Sequence, residues 1–305
     1  MSESASQNGR SAGTSASIPT TGHSIGPAIG ALYQLAMRQH LHGRRWIAML
    51  LLALLPAIIA LITRGTDPFA SPAAMEFGLI FMLIPQGLLP LLALVYASGV
   101  MQDEQEDQTL TYLFIRPIPK WLIYLVKLAA AVTAAETLSV MSIALTYAAI
   151  FHGVHGTDGK AAQIFASCLI ACAIHGLAVL AYCGIFGFMG MVTRRVLVVG
   201  ILYIALFEGL FANIPFNLRI VTVIYYARLL IYRLLPFRGR LGSGVHSTAA
   251  RTWNLVIRGD RHLKAYPHNW LCITMLLSTC IIAALLAAFI CNNREFYVKT
   301  PVKTD

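Results

Sequence analysis

The sequence predicts an all-α polytopic membrane protein, and three observations carry that prediction. Apolar residues fill 57% of the 305 positions and charged residues only 12%, about half the charge of an ordinary soluble domain. The mean hydropathy is +0.69. The apolar residues also gather into six runs long enough to cross a bilayer as helices: 46–63, 77–101, 121–151, 161–192, 196–216 and 270–291. A transmembrane barrel would alternate apolar and polar residues within short strands, whereas residues 50–55 contain only leucine and alanine.

Taken in order, residues 1–26 are rich in Ser, Thr, Gly and Ala and read as a disordered cytoplasmic tail. No basic start followed by an apolar stretch marks a cleavable leader there. The six-span domain runs from 46 to 291, and 292–305 form a C-terminal cytoplasmic tail. Basic residues in short loops set orientation. With the N-terminus inside, the inner side carries Arg10, Arg38, Arg44, Arg45, Arg116, Lys120, Lys127, Arg194, Arg195, Arg294, Lys299 and Lys303, and the short outer loops carry only Arg64 and Lys160. This favours both termini inside.

The outer segment 217–269 complicates the count, because it adds nine basic residues, among them Arg219, Arg228 and Arg233, against one acid, Asp260. Long loops are weak orientation signals, so the assignment stands. Three arginines within 218–235 oppose a seventh crossing; an interfacial or re-entrant helix is expected there. The basic segment invites an anionic counterpart, either lipid headgroups that anchor it or an acidic cargo.

The connector between the second and third runs has its own physics. Asp103, Glu104, Glu106 and Asp107 open a short helix, 103–116, at the end where the helix dipole favours carboxylates. Leu110, Leu113 and Phe114 form one apolar stripe, Pro117 stops the helix, and Pro119 with Lys120 begins the next span. An acidic, one-sided greasy helix beneath a membrane is suited to docking rather than to plain connection.

These residues resemble the permease subunits of ABC-2 type ABC transporters, a family that includes the permease of the nitrous-oxide-reductase maturation exporter. The resemblance rests on Glu104, Glu106, Thr109 and Leu110, then Arg116-Pro117-Ile118, Lys120 and Lys127; Gln108 and Pro119 stand where the pattern has glycine and serine. It implies that 103–116 is a coupling helix, with Glu104, Glu106, Thr109, Leu110, Leu113, Phe114 and Arg116 meeting a cytoplasmic ATPase. It further implies an amphipathic interfacial helix over 27–45, with Ile29, Leu32, Tyr33, Ala36 and Met37 on one face and Gln34, Arg38, His42 and Arg45 on the other. Short helices dipping into the outer leaflet are implied between the fifth and sixth spans. The implied partners are an ABC ATP-binding subunit, a second permease chain and membrane lipid, without nucleic acid, in a bacterial cytoplasmic membrane. No cofactor is expected on this chain, with ATP and magnesium held by the partner. A phosphate-cradling loop requires G-x-x-x-x-G-K-[ST]; at Gly159-Lys160 the next residue is Ala161 and the first glycine is replaced by Val154.

Other residues have narrower readings. Glu136 and Glu208 are acids inside spans, set either on a translocation path or seam, or paired structurally with a neighbouring helix. Lys127 is expected to snorkel to headgroups. Gly176, Gly184, Gly187 and Gly190 suit close helix packing. The six cysteines read as small packing residues rather than disulfides or metal ligands, and no metal is assigned to His152, His155 and Asp158. The function read is therefore the membrane subunit of an ATP-driven transporter, an exporter. The alternatives are an integral-membrane enzyme, for which only His175-Gly176 and the two acids offer chemistry, or a non-catalytic scaffold.

Overall fold

A computed structural model describes residues 25–42, 44–67, 70–106, 119–153, 161–212, 220–235 and 267–293; for 25, 42, 44, 101–106 and 232 it describes the backbone alone. Within these residues the chain is helical and contains no strand. Helix α1 (Ile25–His42) is amphipathic. Leu32 and Ala36 are buried and Gln34 and Arg38 exposed, and Leu32 clusters with Ile123 and Val126. Tyr33 Oη lies 2.9 Å from Thr133 Oγ1, tying α1 along the third span. The apolar residues expected on one face are thus the ones that pack, but α1 ends at His42, and Arg45, expected on its polar face, lies on the next helix, Arg44–Thr66.

Helix α2 (Arg44–Thr66) buries the small residues Ala53, Ala57 and Ala60 and exposes Ile47, Leu51, Ile58 and Ile62. Next come a short α3 (Pro72–Glu76), a π-helical segment π1 (Phe77–Leu88) and α4 (Leu89–Glu106), which together make the second span. Ser71 Oγ caps α3 by accepting from Ala74 N at 3.3 Å. The widened turns of π1 contain Pro85, which has no N–H and would clash with the carbonyl one α-turn back.

Helix α5 (Lys120–Phe151) and helix α6 (Ala161–Val192) have 32 residues each, about 48 Å of helix and longer than a ~30 Å hydrocarbon layer. Gly153, at φ 71°, turns the chain just beyond α5 in a conformation glycine adopts without strain. Helix α7 (Val196–Tyr203) runs into a second π segment, π2 (Ile204–Phe211). Helix α8 (Val223–Leu234) and helix α9 (Asn269–Asn293) complete the described chain.

Helix α6 is the hub, packing on α4, α5, α8 and α9. Its glycines make this possible: a Cβ on Gly184 would stand 2.9 Å from Cys280 Cα of α9, and one on Gly190 3.2 Å from Ser98 O of α4. The bundle is antiparallel, with two faces. On the first, Lys127 Nζ reaches Val100 O at 3.5 Å and Cys291 Sγ reaches Lys120 O at 3.7 Å, bringing together the C-terminal ends of α4 and α9 and the N-terminal end of α5. On the second, Arg64 Nε donates to Ile150 O at 3.0 Å, so α2 satisfies a carbonyl at the C-terminal end of α5.

The described residues of all six expected runs are helical apart from a turn at Ala212, and 213–216 of the fifth lie outside the described residues. Five have the length and hydropathy to cross a membrane, while the fifth in order is an apolar helix of 16 residues over Val196–Phe211. The broad apolar surface of α2, α7 and α9, where Leu51, Val198 and Phe289 are each more than 60% exposed, fits a hydrocarbon solvent and not water.

Candidate functional site

The polar groups inside the bundle concentrate around the two π segments. Helix α8 begins at Thr222 without a side-chain cap of its own, leaving first-turn N–H groups that need acceptors. Glu208, on π2, supplies them: its Oε1 accepts from Val223 N and its Oε2 from Ile224 N, each at 3.2 Å. The carboxylate is wholly buried and rests at the positive end of the α8 dipole. Tyr182, Tyr203 and Arg228 share its electrostatic neighbourhood.

Arg228, one turn along α8, is also wholly buried. Its Nη2 donates to Gln86 Oε1 of π1 at 2.7 Å, and its guanidinium carbon stands 5.9 Å from the Phe81 ring centroid. The cation is thus turned into the bundle, between a widened turn of the second span and the acid of π2. At the far end of α8, Arg233 Nη1 donates to Pro267 O at 2.7 Å and Asn269 Oδ1 at 3.1 Å, joining α8 to the start of α9.

The wide turns of π1 create a second requirement. In a π-helix a carbonyl accepts from the N–H five residues on, and for Ile80 that residue is Pro85, which has none. His175 of α6 stands in, its Nε2 3.1 Å from Ile80 O, while its Nδ1 lies 2.6 Å from Ala171 O. Both partners are carbonyl oxygens, so a neutral ring donates to one and an imidazolium to both. The histidine is an internal strut of the span.

Glu136, on α5, is placed differently. It is half-buried, and its carboxylate lies on the bare backbone of Gly176, where a Cβ would approach Oε2 to 3.0 Å. The glycine makes room for the acid. A further buried acid, Glu76, accepts from Tyr147 Oη at 2.8 Å near the second face. Sequence reasoning passed over Glu76 because it precedes the second apolar run by one residue, and over Gln86 because it was absorbed into that run. The one usable signal was Pro85-Gln86-Gly87, a polar and helix-breaking triplet inside apolar sequence.

Of the residues expected at the coupling helix, Glu104 and Glu106 lie on the last turns of α4, with backbone alone described, and Thr109, Leu110, Leu113, Phe114 and Arg116 lie outside the described residues, as does Arg219. Helix α4 nevertheless leaves the bundle, and α5 re-enters it, on the first face. Lys127 departs from the snorkelling expectation: it is 5% exposed, with its amine turned toward Val100 O. The six cysteines are free thiols. No group of three or more His, Cys, Asp or Glu that could hold a metal occurs among the described residues; His155 and Asp158 lie outside them.

A sequence model of the family described as ABC-2 family transporter protein matches residues 41–209. The match runs from the end of α1 to π2 and takes in the connector between α4 and α5. A search of curated proteins returns no match.

Proposed function

The chain belongs to the ABC-2 transporter family, and from that premise we propose that it is the membrane-spanning subunit of an ATP-driven exporter whose ATPase is a separate polypeptide. The observation that carries the reading is the family match itself, which covers more than half of the chain and spans the acidic, apolar-striped connector 103–116. In this reading the first face is cytoplasmic, in a bacterial inner membrane, with both termini on that side. The connector is the coupling helix: Leu110, Leu113 and Phe114 enter a groove on the ATPase, and Glu104, Glu106, Thr109 and Arg116 fix its register. ATP and magnesium stay on the partner, and a second permease chain completes the transmembrane pathway.

Supporting geometry comes from the ends of the connector. Its first residues, 103–106, are the last turn of α4, which packs on the hub α6, and it leads to α5, which packs on α1, α2 and α6. A push on 103–116 is thereby delivered to two helices that both pack on the hub α6, and interiors of this density transmit displacement rather than absorb it. Glu136 and Glu208 belong to the pathway's internal polar framework, and Glu208 does so as the acid that seats α8. A photo-crosslinking amino acid at position 113, activated in intact membranes, tests the docking directly. The expected product joins the chain to an ATP-binding subunit; crosslinking only to lipid or to the chain itself would remove the coupling assignment.

A further inference from the structure

Glu136 stands midway along α5, and the helices packed around it supply no countercharge. Helices α4, α6 and α9 contain neither lysine nor arginine, and α2 has arginines only near its two ends. On α5 itself the nearest cation is Lys127, nine residues and about 13 Å of helix away, with its amine turned to Val100 O. On α8, Arg228 donates to Gln86 and Arg233 to Pro267 and Asn269. His175 is next to the glycine on which the carboxylate rests, but it directs both ring nitrogens at the carbonyls of Ala171 and Ile80. Among the described residues, no hydrogen bond or ion pair reaches the Glu136 carboxylate. We propose that this face binds a hydrophobic cation whose charge pairs with Glu136, and that the transporter's cargo belongs to that class.

An ionisable group within a span is costly and is kept where a partner or a substrate meets it. The setting of Glu136 says what kind. The acid is half-buried, and Thr137 and Val140 of α5 and Ala173 of α6 beside it are exposed, so it is approached from the hydrocarbon side of the bundle. That selects an occupant soluble in hydrocarbon. Its position is fixed against bare backbone, since a Cβ on Gly176 would stand 3.0 Å from Oε2. The small side chains of Thr137, Cys172 and Ala173 leave room beside the carboxylate for an apolar body, whereas the exposed faces of α2 and α9 carry Leu51, Ile58, Leu285 and Phe289. The thiols of Cys172 and Cys183, which share its electrostatic neighbourhood, bring no positive charge. A cation arriving there meets the acid in a low dielectric, where opposite charges attract far more strongly than in water. A second copy of the chain is a poorer occupant, because its own cation at this level of sequence, Arg228, is wholly buried within its bundle.

That the cation is cargo rests on the transport reading above; that it binds does not, so binding is measured on this chain without an ATPase. The full chain, purified in detergent, is titrated separately with tetraphenylphosphonium and with tetraphenylborate, an anion of the same shape, following melting temperature. Saturable stabilisation by the cation and none by the anion is the expected result. Glu136→Gln, which keeps the shape and removes the charge, should weaken the apparent affinity at least about tenfold, and Glu136→Asp should retain part of it. Gly176→Ala should weaken it several-fold, because the added methyl displaces the carboxylate. Equal effects of the two ions, or wild-type affinity in a folded Glu136→Gln variant, would overturn the proposal. A photo-crosslinking amino acid at position 137, activated in native membranes, should yield adducts with lipid alone; a crosslink to a second copy or to another polypeptide would show this face covered by protein and would overturn it as well. Failure of these tests leaves the docking measured at position 113 untouched, while failure at 113 removes the cargo role and leaves the cation site.

Discussion

At the scale of single residues, the interior of this protein is organised by a few polar groups that repair backbone left open elsewhere. Glu208 is the clearest, since it accepts from two first-turn N–H groups of a helix fifteen residues away. Glu208→Ala leaves both N–H groups buried and unmatched, and should destabilise the protein by about 2–5 kcal/mol. Glu208→Gln, retaining one acceptor oxygen, should cost about half as much. Thermal unfolding in detergent measures both, and an alanine variant that melts with the wild type would contradict the cap. The sequence made Glu208 conspicuous as an acid in a span, but its partners were illegible. They are main-chain donors on a segment that no local pattern brings beside it. Arg228 was likewise visible as one of nine cations, yet its inward aim at Gln86 depends on the π turns of the second span, which hydropathy does not register.

At the scale of elements, helix boundaries and apolar faces were largely legible because hydrocarbon imposes a strong length and composition constraint. The amphipathic face of α1 and the glycine positions on α6 are examples, and both fall where packing occurs. The π conformations were not legible from periodicity, although Pro85 gave a local hint for the first of them. Two glycines offer a controlled comparison of element packing. At Gly184 a methyl group meets the backbone of Cys280 at 2.9 Å, so Gly184→Ala should force α6 and α9 apart and cost about 1–3 kcal/mol. At Gly30, on the exposed side of α1, a methyl meets nothing within 4 Å, and Gly30→Ala should be neutral or stabilising by up to about 1 kcal/mol. Equal melting temperatures for the two variants would refute the close α6–α9 approach.

At the scale of the whole molecule, the antiparallel arrangement places Thr66, at the end of α2, and Arg194, between α6 and α7, at opposite ends of the bundle. Single cysteines there, on a background with the six native cysteines replaced, should react with an impermeant thiol reagent from outside at position 66 and only after permeabilisation at position 194. Outside labelling at 194 would reverse the orientation and carry the coupling assignment with it. Overall class and family were readable from sequence because both rest on local strings, the apolar runs and the connector motif. The mutual arrangement of helices was not, since it depends on which small residues meet across interfaces distant in sequence. The central claim, that this chain is a transport subunit driven through its first-face connector by a separate ATPase, is tested most directly by isolating the tagged chain from its own membrane, embedding it in lipid nanodiscs and measuring ATP hydrolysis. Magnesium-dependent turnover should accompany the wild-type chain and fall to background in a Leu113→Asp, Phe114→Asp variant that remains inserted and folded; equal turnover accompanying both chains, or none with either, would contradict it.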